Sequence, residues 1–150
     1  MVLDWLKTNV TKAREALQTE VGRFKNREFM EAVVAGCALV AAADGDISSS
    51  EKQKMMKYIE NSDELKVFKL EEVIAFFKKI TEKFEFDAEI GRAEALKHVG
   101  KLRDKPDAAR VMVRVCIAIG ASDGDFDDKE KAVVRTICRE LSLDPADFDL

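Results

Sequence analysis

The chain is poor in helix breakers. Seven glycines and two prolines stand among 150 residues, roughly half the ~12 % of average usage. No stretch alternates apolar and polar residues long enough to read as a strand. Histidine is scarcer still. His98 is the only one, which excludes multi-histidine metal sites and leaves a Ser-His-Asp or Cys-His mechanism dependent on one residue. The three cysteines, Cys37, Cys116 and Cys138, form no CxxC pair. A small secreted scaffold carries a denser, even set, so a reducing compartment, the cytoplasm, is expected. There is no phosphate loop, GxSxG or HExxH, and hence no common catalytic apparatus. A basic excess is also missing: the net charge is −4, which argues against a nucleic-acid binder. The opening MVLDWLKTNVTK does not read as a secretory signal. The longest apolar run, Ala32 to Ala43, is too short to span a bilayer and reads as a buried helix.

What is present is apolar mass and charge. Apolar residues make up 47 % of the chain, enough for a core, and charged residues 36 %, which implies well-solvated outer faces. Residues 1–150 read as a single all-α domain, a compact bundle of about seven helices. Apolar side chains at Val2, Leu3, Leu6, Val10, Ala13, Ala16, Leu17 and Val21 follow a helical period. Residues 1–24 are therefore expected to form an amphipathic helix packed on or flanking the rest. A basic joint, GRFKNRE, follows, then a helix from about Arg27 to Ala43. Further helices are expected from Ser48-Ser49-Ser50-Glu51 to about Glu60, from Leu70 to Phe84, and from Ala88 to about Leu102. Two more run from Pro106 to Ser122 and from Asp127 to about Leu141, with a last turn at Asp144-Pro145. In the Leu70 helix, Val73, Ile74, Phe76, Phe77, Ile80 and Phe84 are expected to face inward.

The chain repeats itself. Residues 31–59 match residues 110–138 at an offset of 79, the distance from Asp44 to Asp123. Identical pairs include Cys37/Cys116, Ala42/Ala121, Asp44/Asp123, Gly45/Gly124, Asp46/Asp125 and Glu51/Glu130. Each unit reads apolar helix, D-G-D-x-x-x-x-E turn, amphipathic helix. This predicts a pseudo-symmetric bundle whose two apolar helices pack together, with the acidic turns near one another.

Asp44, Asp46, Glu51, Asp123, Asp125 and Glu130 offer oxygen ligands suited to Ca²⁺ or Mg²⁺. The spacing matches the second half of an EF-hand loop, with Asp44 at position 5, Gly45 at 6 and Glu51 at 12. The first half fails: positions 1 and 3 fall on Val40 and Ala42, or Ile119 and Ala121. Each copy alone is therefore a weak site, and the two together are the candidate. Capping explains much of the same pattern. Glycine ends the first helix, Ser48 or Asp127 starts the next, and Glu51 or Glu130 completes a capping box. Capping does not require the paired aspartates. Asp44, Asp123, Asp127 and Asp128 also form a candidate acidic docking face, and Lys25 and Arg27 a basic one. With Trp5, Leu3 and Leu6, the basic N-terminal segment is a weaker candidate for an anionic membrane surface. The cysteines read as buried packing. Glu94 and His98, one helical turn apart, read as a surface contact. The phenylalanines of 68–86 read as core or a partner groove.

The segments VGRFKNREFM, AAADGDISSSEKQKMMKYIENSDELKVF, FEFDAEIG and ASDGDFDDKEKAVVRTICRELSLDPADF closely resemble the tellurite-resistance protein B (TerB) family, in order along nearly the whole chain. The resemblance implies an all-helical domain, shared with the amino-terminal part of a DnaJ-type membrane co-chaperone. It implies a role in bacterial tellurite and stress resistance without enzyme activity. It also implies partners from the same gene cluster, among them an integral membrane protein and calcium-binding proteins. The location expected is cytoplasmic, peripheral to the inner face of the membrane. The family's metal-binding acidic residues fall on Asp44, Asp46, Glu51, Asp123, Asp125 and Glu130.

Overall fold

The computed structural model describes residues 10–43, 47, 49–61, 65–121 and 126–150. Among these the backbone forms seven α-helices and no strand: α1 (Val10–Arg23), α2 (Arg27–Ala41), α3 (Ser49–Asn61), α4 (Leu70–Phe86), α5 (Ala88–Gly100), α6 (Pro106–Gly120) and α7 (Asp128–Glu140). A 3-10 turn, Pro145–Phe148, closes the chain. Residues 1–9, with Trp5, Leu3 and Leu6, lie outside the described residues, as does the turn expected at Ser62-Asp63.

The helix starts follow local chemistry. Asn26 Oδ1 accepts from the Phe29 N–H at 2.8 Å and opens α2. Asp87 Oδ1 accepts from the Glu89 and Ile90 N–H groups and opens α5. Pro106 sits in the first turn of α6, where its missing N–H costs no hydrogen bond. Asp144 caps the final turn through the Ala146 N–H at 2.9 Å.

Helices α2 and α6 form the centre. Each has eleven of its fifteen residues buried, as expected for helices without a clean polar stripe. They touch closely because Gly36 has no side chain: a Cβ there would lie 2.7 Å from Cys116 Sγ. Around the pair, α5 packs on α2 and α4, α4 on α2, α7 on α2, α5 and α6, and α1 on α6. Leu17 and Val21 bury the inner face of α1, and Glu20 meets Arg114 of α6 at 3.3 Å. Helix α3 packs mainly on α4, with a small contact on α2.

In α4 the residues Val73, Phe76, Phe77, Ile80 and Phe84 are buried as expected, and Ile74 is half-buried. Phe86 is 81 % exposed. Helix α5 departs from its sequence reading. Its inward residues are Gly91, Ala95, His98 and Val99, while Ile90 faces out. Small side chains let α5 close on α4; a Cβ at Gly91 would lie 2.6 Å from Phe84 Cα. The tight packing carries His98 inward to 7 % exposure.

Candidate functional site: the ends of the two central helices

The element boundaries of the two repeats coincide at the 79-residue offset. Arg27–Ala41 maps onto Pro106–Gly120, and Ser49–Asn61 onto Asp128–Glu140. The central helices also end alike. The Ala42 N–H donates to Ala38 and Val40 carbonyls at φ −91, ψ 15. The Ala121 N–H donates to Ile117 and Ile119 carbonyls at φ −89, ψ −2. Past each turn an equivalent apolar side chain returns to the core, Ile47 at 7 % exposure and Phe126 at 6 %.

The contacts between α2 and α6 fix their direction. Cys116 Sγ lies 3.8 Å from the Val33 carbonyl and against Gly36. One turn on, a Cβ at Gly120 would lie 3.3 Å from Val40 Cγ1. Both chains advance together, so the helices are parallel and end side by side. The residues that follow, Asp44, Asp46, Asp123 and Asp125, lie outside the described residues, as does the side chain of Glu51.

Glu130 is the one of the six candidate ligands whose side chain is described. It forms the expected capping box. The Asp127 N–H donates to Glu130 Oε1 at 3.1 Å, and the Glu130 N–H to Asp127 Oδ1 at 2.8 Å. The arrangement satisfies two amides at the positive end of α7. One Glu130 oxygen is thus held by the helix start. Asp127 and Asp128 are exposed beside it.

Lys25 and Arg27 lie elsewhere. They flank the N-terminus of α2, whose fifteen residues put about 22 Å between this end and its C-terminal end. Both are exposed, and Arg27 Nε pairs with Glu31 at 3.3 Å. Lys25 and Arg27 therefore sit at the opposite end of α2 from the end that lies beside Gly120.

The thiols are core. Cys37, Cys116 and Cys138 are unpaired and at most 1 % exposed. A hydrogen bond with Cys37, then burial, pushes the Cys116 thiol well up from its ordinary range. Burial, with Asp144 and Asp147 nearby, pushes Cys138 up to about 11. Thiols so protonated make poor nucleophiles.

Sequence reasoning missed two features. Lys66 and Lys69 join Lys25 and Arg27 around one cleft. The signal was a repeated arrangement, a phenylalanine between basic residues, in Arg23-Phe24-Lys25 and in Lys66-Val67-Phe68-Lys69. The second feature is His98. It does meet Glu94, at 3.4 Å, but in the interior, with Glu31 of α2 at 4.0 Å and the Phe76 ring edge-on at 4.9 Å. Burial lowers its pKa below 6.5, and Lys101 adds to that, against the opposing pull of Glu31 and Glu94.

The family model described as Tellurite resistance protein TerB matches residues 30–150. The chain belongs to the TerB family. A tellurium resistance protein TerB from Alcaligenes sp. is 47 % identical over 114 residues, covering 76 % of this chain and 93 % of that protein. No solved structure matches. The TerB match covers both acidic segments and begins after α1, at the fourth residue of α2. No helix among the described residues of this TerB-family chain is long and apolar enough to cross a membrane.

Proposed function

We propose that this chain acts without catalysis in resistance to tellurite and related stress, as an adaptor that docks membrane-linked partners from its own gene cluster through its acidic end. In this reading a divalent cation, Ca²⁺ or Mg²⁺, is the signal, held by Asp44, Asp46, Glu51, Asp123, Asp125 and Glu130. The observation that supports it best is the parallel termination of α2 and α6, with Val40 against Gly120. The acidic residues follow directly in sequence on these two helix ends, and carboxylates brought close repel unless a cation or a basic partner neutralises them. The family name supplies the tellurite context. The location that goes with this role is cytoplasmic, at the inner face of the membrane.

Titration of the full chain with Ca²⁺ and Mg²⁺, followed by calorimetry and amide NMR, tests the cation. The expected result is saturable binding with shifts at both turns, abolished by Asp44→Asn with Asp123→Asn. Unmoved signals at millimolar metal sink that part of the proposal.

The Glu130 capping box favours a second reading. A carboxylate already engaged by the Asp127 N–H has structural work without any metal, so the acidic end serves as a metal-free docking face. In that case Asp44→Lys with Asp123→Lys abolishes capture of the cluster's membrane protein whether or not a chelator is present.

A further inference from the structure

The basic end of α2 forms a built cleft. It has a volume of about 380 Å³, within the ~300–1,000 Å³ of small-molecule sites and far more than inorganic phosphate fills. Lys25, Arg27, Lys66 and Lys69 line it, against one acidic residue, Glu72. This balance stands on a chain whose net charge is −4.

Aromatic packing assembles it. Phe24 stacks on Phe29 at 5.8 Å, and Phe29 meets Phe68 at 6.3 Å. The three rings tie the joint before α2 to the segment before α4. The basic residues beside those rings are thereby held around one opening, although about forty residues separate Lys25 from Lys66 in sequence.

Two helix N-termini meet there. Asn26 caps α2. Lys69 occupies the N-cap position of α4 and makes no side-chain cap bond. Lysine has no acceptor to offer, and its charge opposes the positive helix end. Neither Lys25 nor Lys69 pairs with a carboxylate among the described residues. Holding Lys25 and Lys69 together beside two helix N-termini is unfavourable, and an anion relieves it. Met30, Val67 and the Phe68 ring supply an apolar wall beside the charges.

We propose that this cleft binds a small organic phosphate. Its phosphate lies between Lys25, Lys69 and the helix N-termini, and its apolar or planar body lies on Met30, Val67 and Phe68. The proposal does not depend on the acidic end.

Adenosine 5′-monophosphate, adenosine and inorganic phosphate are suitable probes, titrated into the full chain by amide NMR and calorimetry. The nucleotide should saturate, shift residues 24–30 and 65–72, and bind more tightly than phosphate or adenosine. Lys25→Glu with Lys69→Glu should weaken it at least tenfold while the helical circular dichroism stays intact. Lys78→Glu with Lys79→Glu, about 12 Å further along α4, should leave binding unchanged. A lipid headgroup offers the same phosphate. Sedimentation with phosphatidic-acid vesicles that the Lys25/Lys69 reversal abolishes, without a nucleotide response, supports the site and assigns its phosphate to a membrane. No response to any probe, or one that survives the reversal, overturns the proposal. Nucleotide binding no tighter than that of phosphate overturns the organic part.

Discussion

The second helices of the two repeats, α3 and α7, carry the same pattern and occupy different surroundings. Helix α7 buries Val134, Ile137 and Cys138 against α2, α5, α6 and the closing turn. Among its described side chains, helix α3 buries Met55 and Ile59, mainly against α4, and a cleft opens beside Ile59, Leu65 and Phe68. The cause lies outside the repeat. Helices α4 and α5 intervene in sequence and pack on each other and on α2, so α7 is held against α2, α5 and α6 while α3 is left at the edge of the bundle. A duplicated motif has thus produced one enclosed second helix and one at the edge of the bundle. Local opening requires least free energy where fewest apolar contacts are lost, so α3 opens more readily than α7.

Core truncation tests this contrast most strongly. Ile137→Ala should cost near the top of the ~2–5 kcal/mol range for such changes, and Ile59→Ala near the bottom. Urea denaturation reads both, and equal losses would break the comparison. A smaller effect is expected at the cap. Asp127→Ala removes the acceptor for the Glu130 N–H and should cost about 1 kcal/mol. Amide exchange should quicken in the first turn of α7 and stay unchanged in α3; protection that stays as it was would remove the cap from the account.

The smallest effect concerns pH and belongs to the first repeat alone. His98 faces Glu31 of α2, whose equivalent in α6 is Arg110. Glu94 on its own helix, Lys101 just beyond it and the uncharged Phe76 ring of α4 complete its surroundings. With the folded pKa lowered, the unfolded chain binds more protons at mildly acid pH. The stabilisation is complete above about pH 6.5 and declines as pH falls below it toward the folded pKa. Denaturation midpoints should therefore drop as the pH falls from 7.5 toward 5.5, and His98→Gln should flatten that slope. An unchanged slope would take the response away from His98.

The helices of this protein were legible because their signals are local. Asp87, Pro106 and Asp127 mark starts that sequence alone predicts, and the inward phenylalanines of α4 follow its helical period. The repeat was legible for the same reason, down to coincident helix boundaries. His98 was not, since its burial comes from Gly91 and Ala95 admitting α5 to α4, a matter of close approach between helices. The basic cleft was only half legible. Lys25 and Arg27 stand out in a basic joint, whereas Lys66 and Lys69 join them through the Phe24–Phe29–Phe68 contacts.

The sequence by itself determined the family, the all-α class, the helix starts and the positions of the acidic residues, because each depends on side chains within a few residues of one another. Only the tertiary structure decided that α2 and α6 run parallel and end together, that α7 is enclosed while α3 is not, and that four distant cations border one cleft. Those outcomes depend on which helix faces fit together. Gly36, by admitting Cys116, brings the ends of the two central helices side by side.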